Sequence, residues 1–215
     1  MKLLGILLVV SALTSKGYSI ICKSCWLFGS QPCTEPTVSC PDGNVCVAAY
    51  TEVTVGGAMT PQYSISCGTW SDCNVTGSLT FLYGKIHTGT SCCSTDDCIP
   101  PKPALPEEST RKNGLTCRTC SSDQSDYCYT GDKIECNGEE TKCGRMARKL
   151  SGTINLKDSI RGCSTPSFCG ILGNQQASVS GLNVDMKMFC SDGATDLYNG
   201  LFCSLIVALL TKLMF

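Results

Sequence analysis

The apolar positions of the chain form short alternating segments. The segment VCVAAYTEVTV, residues 45–55, is rich in β-branched side chains and ends at a glycine pair, which predicts a strand. QYSISC, residues 62–67, predicts the returning strand of a hairpin, and TVGGAMTPQ, residues 54–62, predicts its mobile tip. No stretch keeps a helical period over the length of a normal helix. The pattern therefore predicts an all-β protein.

The second half of the chain repeats this plan. KCGRMARKLSGTINLKDSIRGC, residues 142–163, predicts another long hairpin with Ser151 and Gly152 as turn signals. NVTGSLTFLYGKIHTGTSCC, residues 74–93, and GILGNQQASVSGLNVDMKMFC, residues 170–190, each predict one further hairpin.

Two longer apolar runs lie at the ends of the chain. LLGILLVVSALT follows Lys2, so residues 1–19 are predicted to be a secretory signal peptide. LFCSLIVALLTKLMF is short for a spanning helix, which needs about 20 residues. Small residues and a polar spacer precede it, so residues 191–215 predict a removed glycosylphosphatidylinositol attachment signal. The attachment residue would be Ser191, Asp192 or Gly193; the alternatives are a retained tail and a weak signal that leaves the protein secreted.

Cysteine turns the predicted hairpins into a disulfide scaffold. The chain has 19 Cys in 215 residues, a density of about 9% that is typical of disulfide-rich extracellular proteins. Successive spacings from Cys22 are 3, 8, 7, 6, 21, 6 and 19, and those from Cys117 are 3, 8, 8, 7, 20, 6 and 21. Two homologous modules are therefore predicted, residues 20–98 and 115–190, and each is too small to fold on its apolar core alone.

The segment between the modules, IPPKPALPEESTRKNG, is predicted to be a linker at residues 99–114. Its four prolines favour extended polyproline structure. Such a semi-rigid spacer either holds the modules apart or lets them pack with limited freedom.

Charge says little about partners. The chain has 17 Lys and Arg against 18 Asp and Glu, and no basic patch of the nucleic-acid-binding type is evident. The densest cationic run, RMARK at residues 145–149, is interpreted as a solvated strand or loop.

Residues that carry catalytic chemistry are few. The CxxC pairs Cys22/Cys25 and Cys117/Cys120 have a spacing found in zinc and thiol–disulfide sites. Without matching histidines, structural disulfides to other partners are favoured. His87, the single histidine, is expected to face solvent and has no partner for nucleophilic catalysis. The sequence predicts no enzymatic activity, no metal and no cofactor.

Candidate binding residues lie in aromatic clusters and at one predicted turn. They are Trp26 and Phe28 in WLFG, Phe81 and Tyr83 in FLYG, and Met59 in the predicted tip. The alternative is that they pack across the hairpins as local core. Asn74, in the sequon NVT, is the predicted glycosylation site.

The module openings IICKSC and LTCRTC and the module ending CCSTDDC resemble the Ly-6/urokinase-receptor family. The resemblance covers nearly the whole mature chain and implies two tandem three-finger modules, an all-β, disulfide-rich (snake-toxin-like) fold. With its two modules and proline-rich linker, the chain is similar to gamma-type phospholipase A2 inhibitors and their amphibian relatives.

The resemblance also implies the disulfide pairing. Module one would contain Cys22–Cys46, Cys25–Cys33, Cys40–Cys67, Cys73–Cys92 and Cys93–Cys98; module two would contain Cys117–Cys143, Cys120–Cys128, Cys136–Cys163 and Cys169–Cys190. Cys203 is left over, inside the apolar tail. The chain departs from the family at Ile99, where an Asn is usual, and at Ser191 and Tyr198, where the last pair of module two is missing.

The function implied by this resemblance is non-enzymatic binding of a secreted or cell-surface protein. The first hypothesis is an inhibitor that covers the lipid-facing or substrate entrance of a secreted phospholipase A2. The alternatives are a lipid-anchored receptor or co-receptor similar to the urokinase receptor, and a secreted signalling ligand. The oligomeric state stays open.

Overall fold

The computed structural model describes residues 19–152, 155–171, 174–179 and 182–193. The predicted signal peptide up to residue 18, most of the predicted attachment signal, Tyr198 and Cys203 lie outside these residues. The strands of module one are β1 (Ile21–Lys23), β2 (Cys25–Phe28), β3 (Thr37–Ser39), β4 (Val45–Val55), β5 (Ala58–Gly68), β6 (Thr76–Phe81) and β7 (Gly84–Cys93). Those of module two are β8 (Lys112–Arg118), β9 (Cys120–Ser122), β10 (Lys133–Asn137), β11 (Lys142–Gly152), β12 (Leu156–Ser164), β13 (Asn174–Val179) and β14 (Leu182–Ser191).

Module one is built on two eleven-residue strands, β4 and β5, which pair along their full length. β4 also pairs with β7, β7 pairs with β6, and β5 pairs with β2, so three hairpin-like fingers lie side by side. The expected mobile tip is instead a two-residue turn, Gly56–Gly57. Both glycines have positive φ, 57° and 87°, as a tight hairpin turn requires. The residues around them therefore lie in strands.

Module two repeats the arrangement. β11 pairs with both β12 and β14, and β13 pairs with β14. The run 145–149 thus lies in a central strand of the sheet, as the strand interpretation of that run requires. The third hairpin is preceded by a six-residue helix, α1 (Pro166–Ile171), and a short 3-10 helix, Trp70–Asp72, precedes the third finger of module one.

Nine disulfides join the described cysteines, and their pairs coincide with those implied by the family resemblance. They are Cys22–Cys46, Cys25–Cys33, Cys40–Cys67, Cys73–Cys92, Cys93–Cys98, Cys117–Cys143, Cys120–Cys128, Cys136–Cys163 and Cys169–Cys190. Each CxxC cysteine is bonded to a residue outside its own pair. Buried sulfurs form the compact base of each module, where disulfides replace the large core that such small modules lack.

The two modules form one continuous sheet. Its strand order is β13-β14-β11-β12-β6-β7-β4-β5-β2, with β9 pairing beside β6 on β12. The junction is the antiparallel pairing of β12 with β6, in which Cys163 lies opposite Thr80 and Ser164 lies opposite Leu79. Of the two arrangements that the linker allowed, the packed one is therefore present.

Backbone and hydroxyl groups complete this junction. Ser78 N–H donates to Thr165 Oγ1 and Thr165 N–H donates to Ser78 O, both at 3.0 Å. Leu82 N–H donates to Thr119 Oγ1 at 2.8 Å. Glu140 of module two accepts hydrogen bonds from the hydroxyls of Ser78, at 3.0 Å, and Thr80, at 2.6 Å.

An apolar core lies beneath the junction and is shared by the modules. Its buried members are Leu79, Phe81, Ile86, Met146 and Phe168, with Val53, Ile160, Met186 and Met188 packed against them. Phe168 of α1 lies directly over Gly77, where any side chain would collide with it. The docked modules therefore bury apolar surface that neither would cover alone.

The linker crosses the opposite face of module one and belongs to its core. Pro100 is fully buried, Leu105 packs against the cluster around Tyr50 and Tyr63, and the Lys102 ammonium lies 4.3 Å from the centre of the Tyr50 ring. Ser91 donates a hydrogen bond to the carbonyl of Pro101. The last three predicted linker residues, 112–114, already belong to β8.

Candidate binding site

Three finger ends meet at the edge of module one that lies away from the disulfide base. Gly29 N–H, after β2, donates to Pro61 O at 2.8 Å, and Gly56 N–H donates to Tyr83 O at 2.9 Å. Gly84 has no room for a Cβ beside the carbonyl of Thr54. The finger ends are thus tied to one another through backbone hydrogen bonds and close approaches.

Large apolar side chains are exposed at these ends. Phe28 is 67% exposed, Tyr83 is 64% exposed and Met59 is 54% exposed. We define the finger-tip surface as Trp26, Phe28, Val55, Met59, Leu82 and Tyr83, all of which are exposed. Exposed apolar clusters of this kind mark interaction sites more often than scattered apolar residues do.

Trp26 and Phe28 form an aromatic pair on β2. Their ring centres lie 4.7 Å apart in an edge-to-face arrangement, a geometry that favours contact between aromatic rings. β2 is an edge strand of the sheet, so this pair is open to solvent on one side.

Phe81 does not belong to the finger-tip surface, and its prediction as a binding residue is corrected. It is 3% exposed and packs in the core shared by the modules. Successive side chains of a strand point to opposite faces, and Phe81 shares the inward face of β6 with Leu79. For this residue the local-core alternative holds.

Val55 and Leu82 are exposed members of the surface that were not among the predicted binding residues. Leu82 stands inside the quoted FLYG motif, and Val55 is the last residue of β4 before the glycine turn. Their positions next to predicted turns are the signal that would have identified both.

A charged group lies near the tips on the face that the linker crosses. Tyr50 Oη donates to Glu52 at 2.8 Å, and burial, followed by this contact, raises the pKa of Tyr50. His87 is half-buried here and does not face solvent freely as expected. Burial and the Lys85 charge lower its pKa, whereas Glu108 and Glu52 oppose that effect. His87 is therefore mostly neutral at physiological pH.

Asn74 lies at the base end of the third finger. It is exposed, has φ 56°, and follows Cys73, which is bonded to Cys92. The six residues of β6 span about 20 Å between this turn and the finger tips. A glycan on Asn74, which stays a prediction, would therefore leave the finger-tip surface open.

The predicted attachment residues directly follow the last disulfide of module two. Ser191 ends β14, Asp192 forms an ion pair with Lys142, and Gly193 has φ 78°. Across the residues that the structure describes, no helix has both the length and the apolar character needed to cross a membrane.

The sequence profile of the u-PAR/Ly-6 domain matches residues 19–101 and again residues 113–199. This chain belongs to the u-PAR/Ly-6 family. Both three-finger modules of the sheet are therefore u-PAR/Ly-6 domains, and the two-module, all-β architecture expected from the sequence is confirmed.

Several relatives of this u-PAR/Ly-6 protein match most of its length. Phospholipase A2 inhibitor NAI of Notechis ater is 30% identical over 80% of this chain and 87% of its own. A phospholipase A2 inhibitor of the gamma type from Laticauda semifasciata is 30% identical over 77% of this chain and 93% of its own. The urokinase plasminogen activator surface receptor of Rattus norvegicus is 26% identical over 77% of this chain and 48% of its own. These relatives are named as inhibitors and a receptor, not as enzymes.

The crystal structure of mouse TEX101 aligns with 80% of this chain and 97% of that protein. The sequences are 19% identical and the TM-score is 0.35, which is too low for a comparison of details.

Proposed function

We propose that this protein is an extracellular, non-enzymatic inhibitor of a secreted phospholipase A2. The observation that carries the proposal is the similarity to snake phospholipase A2 inhibitors, which extends across both modules. The nine disulfides support an oxidising, extracellular location.

The finger-tip surface is the proposed contact. Its six apolar side chains stand on a disulfide-fixed base, so little conformational entropy is lost when a partner binds. A phospholipase admits lipid through an apolar entrance, and burial of Phe28, Met59 and Tyr83 against that entrance would exclude substrate. The inhibition is therefore steric and needs no catalytic residue.

The test is binding and inhibition with a panel of purified secreted phospholipases A2. The full-length protein should bind at least one and slow its hydrolysis of mixed micelles. Phe28→Ser and Tyr83→Ser should each weaken binding at least about tenfold, because large aromatic anchors at the centre of an interface dominate its affinity.

Trp70→Ser is the matched control. Trp70 is an exposed aromatic residue in the 3-10 helix before Asn74, away from the finger tips, so its loss should leave inhibition unchanged. An equal loss in all three variants would reject the finger-tip contact. Absence of binding to every enzyme of the panel would reject inhibition itself.

A second candidate function is a lipid-anchored receptor or co-receptor. The placement of Ser191, Asp192 and Gly193 at the end of β14 favours it, because anchor transfer needs an accessible segment after the folded domain. The similarity to the rat urokinase receptor points the same way. Phosphatidylinositol-specific phospholipase C should then release the protein from cells, whereas protein found only in the medium would contradict anchoring.

A further inference from the structure

One face of module two gathers cations from three neighbouring strands. Arg145 and Lys149 of β11 lie opposite Arg161 and Lys157 of β12, respectively, and Lys187 of β14 lies opposite Ala147, between them. The alternation of strand side chains puts these five on the face opposite Met146 and Ile160, whose side chains belong to the shared core. We define Arg145, Lys149, Lys157, Arg161 and Lys187 as the basic face.

Four of these cations have no counter-ion within the part of the chain that the structure describes. Lys187 is 3.7 Å from Asp185, but no carboxylate lies within ion-pair distance of Arg145, Lys149, Lys157 or Arg161. On the other face of the same strands, Arg148 is paired with Asp158 at 2.5 Å. The lack of neutralisation is therefore specific to the basic face.

The basic face contains two like-charge pairs directly opposite each other, Arg145–Arg161 and Lys149–Lys157. Side chains so placed have Cβ atoms about 5 Å apart, and equal charges there repel. An anion seated between the members of either pair would remove that repulsion. Four residues separate the pairs along the strand, which corresponds to about 13 Å.

Arg145 is held in place by aromatic rings. Its guanidinium carbon lies 4.4 Å from the centre of the Phe189 ring and 5.2 Å from that of Tyr127. Stacking of this kind fixes the plane of the guanidinium, and its in-plane N–H donors are suited to the paired oxygens of a carboxylate, phosphate or sulfate. Among the described residues, no acceptor takes a hydrogen bond from this side chain.

We propose that the basic face binds a linear sulfated polysaccharide of the cell surface or extracellular matrix. Protein interfaces have an apolar centre and are depleted in lysine, whereas the centre here is Ala147 and Ser159, both small and buried. A polyanion with repeated sulfates spans two cation pairs about 13 Å apart without any apolar centre. This inference goes beyond the proposed function and does not depend on it.

The test is surface plasmon resonance of the full-length secreted protein on immobilised heparin oligosaccharides, over a series of salt concentrations. The wild-type protein should bind at about 0.15 M salt and weaken steeply as salt rises. Lys149→Gln/Lys157→Gln should lower affinity about tenfold or more and reduce the slope of log affinity against log salt by about two, one for each lost ionic contact.

Arg111→Gln/Lys133→Gln is the control, because it removes the same charge from exposed residues of module two outside the basic face. It should leave the slope unchanged. The Lys149/Lys157 variant should melt at the wild-type temperature or higher, because it relieves a like-charge pair, which separates lost binding from lost folding.

Three results would overturn the proposal. They are absence of wild-type binding to heparin, equal losses in the two double variants, and tighter binding of the wild type to a ten-glutamate peptide, to phosphatidylserine vesicles or to duplex DNA than to heparin. The peptide arm would assign the face to an acidic protein, the vesicle arm to a membrane and the DNA arm to a nucleic acid.

Discussion

Phe28 and Phe81 show, at the scale of single residues, how strand face decides the role of an aromatic side chain. Phe28 is on an edge strand with its ring in solvent, whereas Phe81 points into the core between the modules. The same residue type therefore supports binding in one place and stability in the other.

Phe81→Ala should lower the free energy of unfolding by about 3–5 kcal/mol, because it leaves a cavity in a close-packed core. Phe28→Ala, its matched control, should change it by less than about 0.5 kcal/mol. Chemical denaturation followed by circular dichroism measures both. Equal effects would contradict the assignment of faces.

Strand alternation in the sequence did not identify the faces on β6. Gly77, Ser78, Leu79 and Phe81 are all buried, because module two covers one face while hydrogen bonds to Glu140 and Thr165 occupy the other. A strand buried on both faces shows no clean alternation, so its inward and outward residues could not be separated from sequence alone.

Gly162 permits the pairing of β6 with β12 at the scale of elements. A Cβ at this position would overlap the carbonyl oxygen of Thr80, on the neighbouring strand. Gly162→Ala should therefore destabilise the docked modules by about 1–3 kcal/mol. Gly170→Ala, in the same module with open space around it, should not; comparable losses in thermal denaturation would contradict the close approach.

Glu140 makes the junction between the modules sensitive to pH. The side chain is 6% exposed, and one carboxylate oxygen, Oε2, is buried without a hydrogen-bond partner. Burial raises the pKa of the Glu140 carboxyl, although hydrogen bonds from Thr80 and Ser78 oppose the rise. The docked state therefore holds a proton more tightly than the unfolded chain does.

It follows that the free energy of unfolding should fall as pH rises from the usual carboxyl pKa to the raised one, and should stay level above it. Glu140→Gln removes the titration and should abolish this part of the pH dependence. Glu139→Gln, an exposed neighbour, should keep it. Denaturant titrations between about pH 4 and pH 8 would contradict the idea if wild type and Glu140→Gln had parallel profiles.

The elements and their order could largely be predicted because they are local. Predicted strand 45–55 coincides with β4, and the cysteine spacings located both modules. The junction of β6 with β12 uses backbone groups of residues far apart in the chain, and backbone pairing has no residue signature. The basic face was missed for a similar reason, because Lys157, Arg161 and Lys187 come from outside the RMARK run.

At the scale of the whole molecule, each module completes the core of the other. Module one alone, residues 20–111, would expose Leu79, Phe81 and Ile86. This fragment should bind a hydrophobic dye and self-associate, because a contiguous apolar patch drives association. The full-length protein under the same conditions is the control. A monomeric fragment without dye binding would show that the modules fold independently.

The sheet ends in two unlike strands, β2 of four residues and β13 of six. Strand addition between copies would join one kind of edge to the other, and such head-to-tail contacts build open filaments. β2 stops at Phe28, and Gly29 with φ 136° turns the chain out of the strand direction. So short an edge offers a second copy few backbone groups, and a wide sheet is thereby protected from polymerisation.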